Sequence, residues 1–285
     1  MPEPRHFLSL LTGSFATPAD ENPTVAMVEA AYRHHGIDAR YINCDVAPEH
    51  LGDAVRGARA MGWAGFNCSL PHKVAVVEHL DGLADSAAVI GAVNCVVIRD
   101  GVMTGENTDG QGFVGALRTM RSPADARVCV LGAGGAARAI VVETALAGAA
   151  HVTVMARRIG EAEVLAELVR AHTPASADAL ELVPSMGVPV GTDILVNATN
   201  AGLQPDVEGM VDLDLESLAG VDLVADVVPN PPQTRLLREA QDRGCRTLDG
   251  LGMLVAQAAV NMELWTGVVA DRPVMRRALE DALRL

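Results

Sequence analysis

The sequence predicts an α/β fold, and three observations lead there. Strand-like runs alternate with helix-like runs along the 285 residues. From Arg127 onward the alternation is regular enough to read as a βαβα unit. One glycine-rich turn, LGAGGAARA from Leu131, joins a hydrophobic run to an alanine-rich one. The length allows two domains.

The elements follow in order. HFLSLL (6–11) reads as a strand, and PTVAMVEAAYRHHG (23–36) as a helix with Pro23 in its first turn and Gly36 just past its end. ARYINCDV (39–46) is a strand, a helix runs from about Glu49 to Met61, and WAGFN (63–67) is a strand followed by a helix from His72. AVNCVVIRDGVMTG (92–105) reads as a hairpin turning at Asp100-Gly101, and Asp109 caps the next helix. The short polar stretch RSPADA (121–126) is the linker candidate. Beyond it, RVCVL, HVTVM, DILVNAT, VDLVADV and CRTL supply strands. Helices are expected at GAARAIVVETALAG, GEAEVLAELVRAH, PQTRLLREAQDRG, LGMLVAQAAVNMELWTG and PVMRRALEDALRL. Residues 173–190 carry no clear period.

Composition narrows the function. The chain is 49% hydrophobic but only 3% aromatic, so its core is aliphatic. A formal net charge of -14 argues against nucleic acid, which needs a basic face. No apolar run is long enough to span a membrane, and the opening lacks the apolar length of a secretory signal. Five cysteines without CxxC spacing suit free thiols in a reducing cytoplasm. The eight histidines form no ligand-spaced cluster with them, so no metal is expected. MELWTG and the terminal amphipathic helix suit either core or contact surface, which leaves a homodimer open.

Two clusters carry chemistry. In the glycine turn, Gly132 permits a tight bend and Gly134 close approach of backbone to a pyrophosphate. Gly135 and Ala136 then open a helix whose free N–H groups favour an anion. Where an NAD-preferring site places an acid, this chain has Ala156-Arg157-Arg158, and two guanidinium groups suit a 2′-phosphate. The expected cofactor is NADP(H). The second cluster spans Asn67, Ser69, Lys73, Asn94 and Asp109, each at an element end. Lys73 is the only lysine among 22 basic residues. Unlike arginine, an amine can give up its proton, and an amine with a carboxylate among amides and a hydroxyl can hold a polyol and relay its proton.

SLPHK, IGAVNCVV, GENTDGQGF, LGAGGAARA, NATNAG and DGLGMLVAQAA resemble, in order, the motifs of the shikimate dehydrogenase family. The resemblance implies an N-terminal α/β substrate domain completed by C-terminal helices (1–110 with 251–285) and a Rossmann-type NADP-binding domain (111–250). The implied reaction is reversible hydride transfer between NADP(H) and a ring carbonyl, 3-dehydroshikimate giving shikimate. Carried over by position, Lys73 and Asp109 become the catalytic pair, and Asn67, Ser69, Asn94 and Gln257 bind ring hydroxyls. Gly250 and Met253 line the nicotinamide, while Gly132, Ala133, Gly134, Gly135, Ala136, Arg157 and Arg158 hold phosphates. The chain departs from the pattern at the acid end of the substrate. Asp20 and Asn22 fall where the family has two serines for the substrate carboxylate, unless a shifted loop brings Ser14 or Thr17 inward. Pro229 replaces the family tyrosine, and Ser69 the family threonine. An aspartate facing a carboxylate is repulsive. The alternatives are therefore a quinate-like, amino-substituted or carboxylate-free polyol, a catalytically silent NADP-binding regulatory protein, or a folate dehydrogenase/cyclohydrolase, which NTDG and GMLVAQ disfavour.

Overall fold

The computed structural model describes residues 8–285; His6 and Phe7, which open the first expected strand, lie outside the described residues. The fold is α/β, and its contacts divide the chain into two units, Met1–Thr108 with Ala258–Leu285, and Asp109–Gln257.

The first unit begins with β1 (Leu10–Ala16), α1 (Thr24–His34), β2 (Ala39–Asp45), α2 (Leu51–Ala60) and β3 (Gly65–Cys68). The strand expected at HFLSLL thus lies further along. Its polar interior residues do not break it, because Thr12 donates to the carbonyl oxygen of Arg40 (3.0 Å) and Ser14 to Asn43 (3.0 Å). Next come α3 (His72–Ala75), β4 (Gly82–Leu83), α4 (Asp85–Ile90), β5 (Cys95–Arg99) and β6 (Val102–Glu106). The helix expected from His72 is one α-turn continued as a 3-10 turn over Val76–His79. The hairpin turns where expected, with Asp100 and Gly101 at φ 53° and 77°, as its tight left-handed turn requires. The sheet order is β2-β1-β3-β5-β6-β4. The first three strands run parallel, so β1, β2 and β3 all present their carboxyl ends at one edge. Antiparallel β5 pairs Cys95 with Asn67, which brings Asn94 to that same edge. Phe15, Trp63 and Phe66 pack in the core with the Phe15 and Phe66 rings stacked 4.4 Å apart.

The second unit opens with α5 (Thr108–Leu117), whose first residue still counts with the first unit. It continues through β7 (Arg127–Leu131), α6 (Gly135–Leu146), β8 (His151–Ala156), α7 (Ile159–His172), β9 (Ser176–Glu181) and β10 (Met186–Gly187). Then follow β11 (Ile194–Asn197), β12 (Leu213–Asp214), β13 (Leu223–Asp226), α8 (Arg235–Asp242) and β14 (Arg246–Leu248). Its six-stranded sheet is parallel throughout, in the order β14-β13-β11-β7-β8-β9. That is the doubly wound Rossmann order, with a switch point between β7 and β11. Such a sheet is covered on both faces, which explains the unbroken apolar runs of β7, β11 and β13. The stretch 121–126 joins α5 to β7 inside this unit rather than separating the units, and Arg121 is pinned by ion pairs to Asp193 and Asp222.

The chain ends in α9 (Gly250–Thr266), within which the units divide, and α10 (Arg272–Leu283). In the first unit α10 packs on α1. Trp265 is buried and donates its indole N–H to the carbonyl oxygen of Val96 (3.0 Å), so within MELW Met262 and Trp265 serve as core while Glu263 is exposed. Among the described residues no helix is long and apolar enough to cross a membrane, and no cluster of His, Cys, Asp and Glu is arranged to hold a metal.

Candidate active site

Parallel strands leave polar loops at their carboxyl ends, where helix starts and chain reversals expose backbone groups; ligands commonly bind there. In the first unit this edge carries Ser14, Asn22, Asn43, Asn67, Ser69 and Asn94. Apart from Ser69, these residues fall into two hydrogen-bonded groups, a ring about Ser14 and a ladder through Asn67 and Asn94. Asn22 donates from Nδ2 to Ser14 Oγ (3.0 Å), and Ser14 donates to Asn43 Oδ1. Asn43 donates from Nδ2 to the carbonyl oxygen of Asn22 (2.9 Å), which closes the ring. Ser14 is thus committed to this ring and wholly buried. Tyr41 donates its phenol to Asn67 Oδ1 (2.9 Å), and Asn67 donates to the carbonyl oxygen of Asn94 (2.9 Å). Asn94 Oδ1 accepts from the backbone N–H of Thr108 (2.6 Å), while its Nδ2 donates to Thr108 Oγ1 (3.0 Å). Thr108 Oγ1 in turn donates to Asn261 Oδ1 on α9 (2.6 Å).

Asn67 and Asn94 are therefore buried as well as polar, each with amide atoms engaged inside the fold. The helix cap expected of Asp109 is also revised. Helix α5 begins one residue earlier, Asp109 lies in its first turn, and the amide of Asn94 satisfies the N–H of Thr108. Asp20 is exposed and Asn22 half-buried, and Asn22 Oδ1 accepts from the N–H of Thr24 at the start of α1 (3.0 Å).

Lys73 sits half-buried on α3, with its carbonyl oxygen accepting from Val93 N–H (2.7 Å). Burial pushes the nearby Cys68 thiol up to about 12, with the Lys73 ammonium pulling the other way. Cys68 is therefore an uncharged neighbour, not a nucleophile. Tyr41 is raised above the ordinary phenol value, chiefly by burial, so it remains a donor at any working pH.

In the second unit, a cavity of about 780 Å³ lies over the switch point. Gly132, Ala133 and Gly134 form one wall, Ala156, Arg157, Arg158 and Glu161 a second, and Ala198 to Ala201 a third. Gly132 takes φ +104°, and a Cβ there would stand 2.9 Å from the carbonyl oxygen of Ala198, so only glycine fits. A Cβ on Gly134 or Gly135 would instead project into open space. The protein itself does not require those two glycines; an approaching ligand would. This is the signature of a pyrophosphate cradle, and the residues present fit a dinucleotide with a 2′-phosphate. Ala136 lies in the first turn of α6. Gly250 is buried against the carbonyl oxygen of Val228, Met253 is half-buried on α9, and Gln257 is buried. None of the three lines the cavity.

Sequence reasoning missed several participants. Asp226 closes β13, where its carboxylate accepts from Asn197 Nδ2 (3.0 Å), Thr234 Oγ1 (2.7 Å) and the N–H of Val228 (3.0 Å). Asn197 Oδ1 accepts in turn from the N–H and hydroxyl of Thr199 and so shapes the third cavity wall. Tyr41, Asn43 and Asn261 went unnoticed because a polar residue in an apolar run carries no signal of its partner. Glu161 and Asp212, which line the cavity, carry no sign of that place in the sequence.

Comparisons with known proteins fit this geometry. Residues 15–96 match the family model of the shikimate dehydrogenase substrate binding domain, and residues 250–280 that of the shikimate 5′-dehydrogenase C-terminal domain. The chain is 38% identical over 270 residues to shikimate dehydrogenase (NADP(+)) of Shouchella clausii, covering 94% of this chain and 96% of that protein. Its structure is similar to ligand-free 5-ketofructose reductase of Gluconobacter sp. strain CHM43, with TM-score 0.94 and 56% identity over 97% of this chain and 99% of that one. It is also similar to shikimate 5-dehydrogenase from Listeria monocytogenes in complex with shikimate and NAD, with TM-score 0.89 and 32% identity over 97% and 98%.

Proposed function

Since the chain belongs to the shikimate dehydrogenase family, we propose that it is an NADP(H)-dependent enzyme that interconverts a hydroxyl and a carbonyl on a polyhydroxylated small molecule by reversible hydride transfer. The observation that carries this reading is the amide ladder at the carboxyl ends of β1, β2 and β3, with Lys73 one turn beyond it. Residues 1–110 with 251–285 form the proposed substrate domain, and 111–250 the proposed dinucleotide domain.

Bound in the second-unit cavity, NADP(H) would supply or accept the hydride; Gly132 to Gly134, with Gly135 and Ala136 beside them, would hold its pyrophosphate, and Arg157 and Arg158 its 2′-phosphate. For Gly250 and Met253, outside that cavity, the nicotinamide role rests on the family resemblance alone. Lys73 passes a proton to the carbonyl oxygen as hydride arrives at its carbon, and takes it back in the oxidising direction. Asp109 is the carboxylate of the proposed catalytic pair and binds one hydroxyl, while Asn67, Ser69, Asn94 and Gln257 are proposed to orient the remaining hydroxyls. Cys68, Cys95, Cys129 and Cys245, buried and not in disulfides, support a reducing, cytoplasmic setting.

The 3-dehydroshikimate/shikimate pair is the substrate reading supported by the curated relatives. A specific observation favours a second: of the two positions that the family resemblance assigns to the substrate carboxylate, Asp20 is an exposed acid and Asn22 is committed to Ser14 and Thr24. A neutral polyhydroxy ketone meets no repulsion there, and 5-ketofructose, the substrate named for the 56%-identical neighbour, is one. NADPH oxidation with 3-dehydroshikimate and with 5-ketofructose, and NADP reduction with shikimate, quinate and neutral cyclitols, separate the two. Under the second reading a kcat/KM at least tenfold higher on the neutral ketone is expected, and a tenfold preference for 3-dehydroshikimate overturns that reading in favour of the first. Lys73→Ala should remove turnover while NADPH affinity holds. Unchanged turnover would count against hydride chemistry at this lysine.

A further inference from the structure

The walls of the dinucleotide cavity carry four charged side chains: Arg157 and Arg158 against Glu161 and Asp212. Two guanidinium groups are thus offset by two carboxylates, and the cavity is formally neutral. The balance is not diffuse. Arg158 occupies the N-cap position of α7, Glu161 stands in its first turn, and Arg158 Nη2 lies 2.5 Å from Glu161 Oε1. Among the described residues Arg157 has no such acidic partner. The two arginines are therefore inequivalent, one available to an anion and one already engaged.

We infer that Glu161 sets how strongly this site discriminates a 2′-phosphorylated dinucleotide, by holding Arg158 in an ion pair that the phosphate must displace. The inference rests on the cofactor reading above. The pair is poised for exchange rather than locked. Its side chains are 79% and 46% exposed, and an exposed i,i+3 pair in water is weak. A phosphate offers the guanidinium stronger, bidentate and charge-assisted hydrogen bonds. Yet the displaced carboxylate stays on the same wall and repels the dianion that replaced it. A dinucleotide without the 2′-phosphate neither displaces the pair nor feels that repulsion. Glu161 therefore penalises one cofactor and not the other.

Glu161→Gln keeps the side chain's size and removes its charge. In equilibrium titrations at low ionic strength the variant should bind NADPH and 2′,5′-ADP about three- to tenfold more tightly, while NADH and 5′-AMP stay within twofold. The gain should shrink in 0.5 M salt, as a Coulomb effect must and a packing effect need not. Glu163→Gln, on the same helix but outside the cavity, should change none of these affinities. Unchanged NADPH affinity in Glu161→Gln, an equal gain for NADH, or a gain indifferent to salt overturns the inference. The parent reading has its own control in Arg157→Ala/Arg158→Ala. If the wild type prefers NADPH over NADH and this variant does not, the cofactor reading stands whatever Glu161→Gln does. If the wild type shows no preference and the double variant changes nothing, that reading falls and this inference with it.

Discussion

The hydrogen bond from Tyr41 to Asn67 offers the sharpest test of the amide ladder. Tyr41 is 3% exposed and Asn67 8%, so neither group has water to fall back on. Because burial holds the phenol protonated, the direction of the bond is fixed: Tyr41 donates at 2.9 Å and Asn67 Oδ1 accepts. Tyr41→Phe removes the donor and leaves a buried amide oxygen short of a partner, which costs about 1–3 kcal/mol. Asn67→Ala removes the acceptor of the phenol, while the carbonyl oxygen of Asn94 keeps the N–H of Cys68 (2.9 Å), and should cost about 1–3 kcal/mol. In the double variant the stranded phenol is gone. Its cost should therefore fall short of the sum by about 1 kcal/mol or more. The assay is favourable because both tryptophans, Trp63 and Trp265, belong to the first unit. Urea unfolding followed by their fluorescence reports that unit without assuming that the whole chain unfolds in one step. On the functional side, Tyr41→Phe frees the Asn67 amide to rotate, so KM for the polyol should rise several-fold while NADPH affinity is unchanged. Additive costs within about 0.3 kcal/mol, or an equal loss of NADPH affinity, would show that the ladder is not a ladder.

Two further outcomes follow from the packing and from one buried acid. A Cβ on Gly65 would stand 2.1 Å from the carbonyl oxygen of Val96 and 2.3 Å from Trp265 Nε1. Gly65→Ala should therefore destabilise the first unit by about 3 kcal/mol or more in urea, and Trp265→Leu in the same chain should return part of that loss. Burial raises the Asp226 carboxyl above its ordinary value despite three hydrogen bonds that oppose the shift. Between the unfolded and folded values the native chain holds the extra proton, so this group's contribution to stability grows as pH falls through the folded value and levels off below the ordinary carboxylate range. Relative to Asp226→Asn, the wild type should gain stability as urea midpoints are measured from pH 7 down to pH 4. A relative loss over that range refutes the assignment.

The larger design was legible because it is written in local patterns. Apolar runs of β7, β11 and β13 are readable where a parallel sheet is covered on both faces, and Gly132 is readable because its left-handed φ and its approach to Ala198 admit no side chain. Residues with a chemistry of their own, such as Lys73 and Arg157, stand out in any context. What stayed hidden is relational. Nothing near Tyr41 in the chain announces Asn67, 26 residues away, and nothing near Thr108 announces Asn261, 153 residues away. Short elements such as β4, β10 and β12, two residues each, are defined by their partner strand and carry no period. Glu161 went unread for a different reason: an acid in the first turn of a helix already has a sufficient explanation in the helix dipole, which masks a second role.

This division between local and relational information bears on how such a fold changes substrate while keeping its reaction. Asn67 and Asn94 are buried, and their amides hold β3, the loop before β5 and the start of α5 together, so replacing either strands internal partners. A change there is penalised in stability before function is asked about. Asp20 is exposed, and surface substitutions of its kind usually cost less than about 0.5 kcal/mol. Asn22 is intermediate, since a serine there would keep a donor for Ser14 but lose the reach of the amide to Thr24. Glu161 likewise lies on an exposed turn whose ion pair is weak. The groups proposed to orient hydroxyls are thus welded into the frame, whereas those proposed to meet the acid end of a substrate or the 2′-phosphate of a cofactor sit where exchange is nearly free. Specificity in this chain should accordingly yield to one or two surface substitutions, while the hydride-transfer machinery should not.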